Sequence, residues 1–218
     1  MERLQVRAVQ RAFDLLALVG AQSPPTLSEL ARAAALPVST VARLLSTLER
    51  AGFVHRNGEN RYAPGTRLVQ IGLSAMRNVS VYELAEPHLR RMSEASGETA
   101  NLAVRADAAN AVYLRQVVSP HSIHHASWIG RMLPLKKTAI GAAILGKAGP
   151  KGYVVRRDTL ERGVTAIAAP LRGPGGEIAA AFSITGPSYR IGAKEVARIG
   201  SLVRKEAEKA SAVLGGST

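Results

Sequence analysis

The stretch from Leu27 to Gly65, LSELARAAALPVSTVARLLSTLERAGFVHRNGENRYAPG, decides the fold of the N-terminal part of the chain. Leu30, Ala31 and Ala34 recur at the three- and four-residue spacing of one helix face. Leu36-Pro37 interrupts that pattern. Ser39-Thr40 then stands where a helix is expected to be capped, and Val41, Leu44, Leu45 and Leu48 resume the stripe. Gly52 follows as the residue that closes the helix. Two short helices joined by a tight turn make a helix-turn-helix. Phe53-Val54 and Arg61-Tyr62, on either side of the turn residues Asn57-Gly58, predict a β-hairpin, the wing of such a unit.

The polar residues of the second helix point to a partner. With Val41, Leu44, Leu45 and Leu48 turned inward, the outer face carries Ser39, Thr40, Arg43 and Thr47. Short hydroxyls and one guanidinium suit phosphate oxygens and guanine edges in a major groove. Arg56, Asn57, Asn60 and Arg61 put two cations and two amides on the wing, beside a backbone or minor groove. Any one of these cations would serve equally as solvated surface. The order of helix, turn, helix, glycine and basic hairpin is what reads as double-stranded DNA binding.

Composition agrees without locating the DNA site. The 218 residues carry a formal charge of +13, which suits a polyanionic partner. Residues 1–75 hold nine basic and five acidic side chains, net +4, and residues 76–218 hold twenty and eleven, net +9. Most of the excess therefore lies outside the helix-turn-helix. The absence of cysteine removes disulfides, thiolate zinc sites and cysteine nucleophiles, and fits a reducing cytoplasm. No apolar run reaches the length of a membrane span, and Met1-Glu2-Arg3-Leu4 opens no secretory signal, so a cytoplasmic protein with no membrane partner is expected.

The rest of the chain divides by pattern. Val6, Val9, Phe13, Leu16 and Ala17 predict an amphipathic first helix, ended by Gly20 and the Ser23-Pro24-Pro25 break. A winged unit is expected over 1–65, closed at Pro64-Gly65, with a linker helix over 66–80 marked by Leu68, Ile71, Leu73 and Met76. The C-terminal domain, 81–218, opens with a helix carrying Leu84, Ala85, Leu89, Met92 and Ala95, with Pro87 bending it or in its first turn. After Gly97 the runs Ala100–Arg105 and Ala111–Val118, around Asp107-Ala108-Ala109-Asn110, predict an antiparallel pair. Ser122–Trp128 is a candidate third strand and Thr138–Leu145 a helix; Val164–Pro170 and Glu177–Thr185 are two further strands. Ala193–Leu214 closes the chain as a long helix with Val196, Ile199, Leu202, Val203 and Ala207 inward. The fold class is α+β, an antiparallel sheet flanked by helices behind a winged helix-turn-helix.

At this point the chain resembles the IclR (isocitrate lyase regulator) family of transcriptional regulators, from about Val6 to Leu214. The residues that carry the likeness run in the same order: Leu36-Pro37-Val38-Ser39-Thr40-Val41-Ala42-Arg43-Leu44-Leu45, Gly52-Phe53-Val54, Arg61-Tyr62, Gly97-Glu98-Thr99, Pro134-Leu135, Ile167-Ala168-Ala169-Pro170 and Ser183-Ile184-Thr185-Gly186-Pro187. The resemblance implies a winged helix-turn-helix on a GAF-like effector domain, homodimers or homotetramers on a DNA operator, and regulation switched by a small metabolite, often an organic acid. No cofactor is implied.

The chain departs from the family pattern at several points. Val38 stands where a basic residue is usual and Ala42 where histidine is frequent. Lys136-Lys137-Thr138-Ala139-Ile140-Gly141-Ala142-Ala143 replaces His-Ala-Thr-Ala-x-Gly-Lys-Ala. The helical insertion before Gly-Tyr-x-x-Asp is missing, so that Gly146 leads through Lys147-Ala148-Gly149-Pro150-Lys151 to Gly152-Tyr153, and the Asp is Arg156. Carried over residue by residue, the effector positions are Ser183 and Thr185 on a core strand, Ala139 and Ile140 at a helix start, and Ala166 as a wall. Arg156 is added because a guanidinium beside the pocket favours an anion. Ser183 and Thr185, spaced by two, share one strand face.

Two other groupings are weaker. His121, His124 and His125 could surround a transition metal, but with no carboxylate nearby in sequence, and with His124 on the opposite strand face, they read better as a solvated edge. Lys136-Lys137 and Arg156-Arg157 read likewise as surface or as an anion site. No Gly-x-Ser-x-Gly elbow, phosphate loop or His-Glu-x-x-His is present, so no catalytic residue and no enzyme activity is expected. The alternative to a metabolite-responsive regulator is a DNA-binding one whose C-terminal domain only oligomerises.

Overall fold

The computed structural model describes residues 6–20, 23–77, 80–122 and 128–215. They form two compact units, Met1–Asn78 and Val79–Thr218.

The first unit comprises α1 (Arg7–Val19), α2 (Leu27–Ala33), α3 (Val38–Arg50), the hairpin β1 (Val54–Arg56) and β2 (Tyr62–Pro64), and α4 (Thr66–Arg77). A capping box opens α2: Thr26 Oγ1 accepts from Glu29 N–H, and the Glu29 carboxylate accepts from Thr26 N–H at 2.7 Å. The turn into α3 differs from expectation. Ala35 takes a left-handed φ of 51° and Pro37 is the N-cap, with no side-chain cap. Ser39 and Thr40 lie inside the first turn instead, because the extended backbone of Pro37 already launches the helix. At its other end Gly52, at φ 77°, donates to the Glu49 carbonyl, and Phe53 donates to Leu48, a Schellman closure.

Leu15, Val19, Leu30, Ala31, Val41, Leu45, Val54 and Tyr62 form the core of this unit. Most of the apolar stripe expected to bury α1 faces outward, while Leu16 packs half-buried against the core. Val6, Val9, Phe13 and Ala17 are exposed, whereas Leu15 and Val19 are the buried pair. α1 carries two apolar faces, and the small core accepts only the one centred on Leu15. The wing pairs Arg56 with Tyr62. Asn57 Oδ1 accepts from the N–H groups of Glu59 and Arg61, which folds the wing loop.

The second unit comprises α5 (Ser80–Ser96), β3 (Thr99–Arg105), β4 (Asn110–Val117), β5 (Met132–Pro134), α6 (Ala139–Ile144), β6 (Val154–Arg157), β7 (Val164–Arg172), β8 (Ile178–Pro187) and α7 (Ala193–Val213). Six strands make one antiparallel sheet in the order β5-β4-β3-β8-β7-β6. Strand alternation gives the sheet two apolar faces. Ala100, Leu102, Ile167, Phe182 and Ile184 pack with Leu89 and Met92 of α5 and Ile199 and Val203 of α7. Ala168 and Ala181 pack beneath Ile140, Ala142 and Ala143 of α6.

Pro87 sits inside α5 with its ring exposed, well past the first turn. The edge strands β5 and β6 are too short to give a sequence signal. Of the expected strand Ser122–Trp128, residues 123–127, including His124 and His125, lie outside the described residues. Between α5 and α7 the buried Glu206 carboxylate accepts from Arg91 at 3.0 Å and from Lys209 at 2.7 Å, and meets His88 Nδ1 at 2.7 Å. Among the described residues no helix is long and apolar enough to cross a membrane.

Candidate nucleic-acid interface and effector cavity

The outward face of α3 holds Ser39, Arg43 and Thr47, all exposed, with Thr40 half-buried at its margin. The Thr47 hydroxyl donates back to the Arg43 carbonyl at 3.1 Å, so toward a ligand it can only accept. No described residue pairs with the Arg43 guanidinium. The wing brings Asn60 to the surface in a left-handed conformation, φ 57°. Arg61 is placed differently. Its Nη1 donates to the Pro24 carbonyl at 2.9 Å and lies 3.5 Å from the Glu29 carboxylate, and its Nε lies 3.8 Å from Glu59. Arg61 thus ties the base of the wing to the start of α2. Arg56 is the more projecting wing cation, stacked over the Tyr62 ring and donating to its hydroxyl.

In the second unit the six effector positions taken from the sequence converge. Ala139, Ile140, Arg156, Ala166, Ser183 and Thr185 line one narrow cavity between α6 and the sheet. Register explains the convergence: Arg156 faces Ala166 across β6 and β7, and Ala166 and Ala168 face Thr185 and Ser183 across β7 and β8. Thr138 caps α6, accepting from Gly141 N–H at 3.0 Å and donating to the Pro134 carbonyl at 3.0 Å. The two preceding N–H groups, of Ala139 and Ile140, have no partner within the helix. A Cβ on Gly141 would lie 2.4 Å from the Leu135 backbone, so only glycine lets α6 approach the segment after β5 this closely.

Sequence reasoning missed much of this wall. Tyr113, Trp128, Thr138 and Glu161 also line it. Burial pushes the Tyr113 phenol up to about 12, against the opposing pulls of Ser183 and Arg131, so it stays protonated. Behind the wall, Asn101 donates to Ser183 and Thr185, and Gln116 donates to Asn101. The available signal was a lone amide inside the apolar run Ala100–Arg105. Among the described residues no cluster of three metal-ligating side chains occurs.

Comparison with known proteins matches this arrangement along its length. The IclR helix-turn-helix domain profile matches residues 8–58, and the bacterial transcriptional regulator IclR C-terminal profile matches residues 73–151 and 145–212. The chain belongs to the IclR family. It is a DNA-binding transcriptional regulator with the fold anticipated from its sequence. The two pieces of the C-terminal match meet at the Gly146–Gly152 connection, where the family insertion is missing.

Among the relatives of this IclR-family regulator is the transcriptional repressor IclR of Escherichia coli, 28% identical over 97% of this chain and 91% of the relative. The solved IclR regulator of Alicyclobacillus acidocaldarius superposes with a TM-score of 0.83 at 24% identity, covering 97% of this chain and all of the other. An IclR homologue of Microbacterium hydrocarbonoxydans, solved with 4-hydroxybenzoate, gives 0.81 at 21% identity, covering 95% and 98%. At these identities the two structures support the fold alone.

Proposed function

We propose that this regulator grips a pseudo-palindromic operator as a dimer and that a small anionic metabolite in the α6 cavity sets its affinity for DNA. Arg43 reads a base edge in the major groove, Ser39, Thr40 and Thr47 meet phosphate or base atoms, and Asn60 and Arg61 approach the backbone from the wing. By likeness to the Escherichia coli repressor, the bound form blocks transcription, and the protein works in the cytoplasm. Dimer formation is favoured by the unpartnered apolar side chains Val9 and Phe13 on α1 and Val69, Ile71 and Leu73 on α4.

The observation that carries the effector half is that the six positions the family likeness singles out line one cavity, Arg156 among them. A carboxylate there would meet the Ala139 and Ile140 N–H groups, the Ser183 and Thr185 hydroxyls and Arg156. The 4-hydroxybenzoate bound by the Microbacterium homologue makes that acid the first probe. Thermal unfolding with a panel of small organic acids tests the reading, since a ligand of the native state raises the midpoint. Silence of every acid, with operator binding intact, returns the C-terminal unit to a purely oligomerising role.

A further inference from the structure

The polar floor of the effector cavity is oriented by a chain of hydrogen bonds that begins outside it. The backbone N–H of Trp128 can only donate, and it meets Gln116 Oε1 at 3.3 Å. That fixes the Gln116 amide, whose Nε2 donates to Asn101 Oδ1 at 2.8 Å. Asn101 is in turn fixed, and its Nδ2 hydrogens go to Thr185 Oγ1 at 3.2 Å and Ser183 Oγ at 3.4 Å. Gln116, Asn101 and Ser183 stand directly opposite one another across β4, β3 and β8. Both Nδ2 hydrogens of the buried Asn101 are engaged and its Oδ1 accepts from Gln116, leaving no ambiguity about which way it points.

A hydroxyl has one hydrogen and two lone pairs. With an N–H on one lone pair of Thr185, its hydrogen is left for another acceptor. Ser183 likewise accepts from Asn101, so its hydrogen too is left for another acceptor. Ser183 and Thr185 therefore each keep one O–H hydrogen, and both residues line the cavity. We propose that Asn101 and Gln116, which do not themselves line the cavity, set its polarity. Its floor then offers two O–H donors and selects a ligand oxygen that only accepts, a carboxylate over its amide counterpart.

This inference rests on the effector reading, and the test separates the two. The full-length protein is titrated calorimetrically with pyruvate against pyruvamide and with 4-hydroxybenzoate against 4-hydroxybenzamide. A hydrogen bond to a charged partner corresponds to roughly 10- to 150-fold in affinity, which is the margin expected for the acid in the wild type. Gln116→Glu puts an acceptor opposite Asn101. The Asn101 amide must then turn to donate, its oxygen faces Ser183 and Thr185, and their hydrogens are drawn back from the cavity. The acid margin should collapse by the same factor while the amides bind as before or better. A merely structural role would weaken acid and amide alike, and that result, or an unchanged margin, overturns the proposal. If Gln116→Glu does not fold, Thr185→Val serves instead: it should lose the acid by about 10- to 150-fold and the amide by much less, and equal losses overturn the proposal. Binding of no acid by a wild-type protein that still binds its operator overturns the effector reading itself.

Discussion

Arg43→Ala and Arg61→Ala should fail in different ways, for reasons visible in the first unit. The Arg43 side chain is exposed and no described residue pairs with it, so its loss should change folding stability by no more than about 0.5 kcal/mol. On DNA one bidentate contact to a base is worth about 1–3 kcal/mol. The proposed symmetric dimer would lose it twice, so operator affinity should fall by about 2 kcal/mol at least, roughly 30-fold, with preference flattened at the two related positions. Arg61 holds the Pro24 carbonyl and faces Glu29 and Glu59. Removing it should cost the unit about 1 kcal/mol of stability from the lost hydrogen bond, the exposed ion pairs adding little. Its DNA effect should be similar for every sequence and should lower the salt slope by about one per copy. Fluorescence anisotropy on a library of operator variants at several salt concentrations, beside urea unfolding, reads all four quantities. If Arg43→Ala keeps both affinity and base preference, α3 is not the reading helix.

Phe13→Glu places a charge on the outward stripe of α1 and should shift the protein toward monomer in sedimentation experiments while its helical signal is kept; an unchanged dimer would exclude that stripe. Gly141→Ala drives a methyl into the Leu135 backbone and should cost about 1–3 kcal/mol of C-terminal stability and abolish any stabilisation by ligand. Burial pushes the Glu206 carboxyl up, but Lys209, His88 and Arg91 outweigh it and hold it below 4.5. A depressed carboxyl contributes stability that is present above its unfolded value and lost as pH falls through the folded one. Chemical unfolding should therefore show stability declining below about pH 4.5, a decline that Glu206→Gln flattens; an identical acid profile in the variant would refute the assignment.

The helix-turn-helix was legible because a 3.6-residue stripe, a proline turn and a left-handed glycine leave local marks, and the wing because Asn57 and Gly58 flag its turn. The α3 start was misplaced by two to three residues since hydroxyl residues favour caps, whereas Pro37 launched the helix through its own backbone. Periodicity identified α1 but not which of its two apolar faces the core would take. The effector positions came from family likeness, not from local pattern, since their meeting depends on register across β6, β7 and β8. Asn101 left only the mark of a lone amide in an apolar run, and Gln116 and the Glu206 cluster left none, for the same reason. Their partners lie far away in sequence, and only the folded sheet and the α5–α7 packing bring them together.

The most direct measurement is operator affinity by anisotropy, for wild type and Ser183→Ala, with and without the acid that shifts the thermal midpoint most. Coupling between two sites typically amounts to about 1–3 kcal/mol. Wild-type affinity should therefore change by roughly 5- to 150-fold on adding the acid, and Ser183→Ala should need at least about 10-fold more acid for the same change. Identical operator affinity with and without saturating acid would contradict control of DNA binding from the α6 cavity.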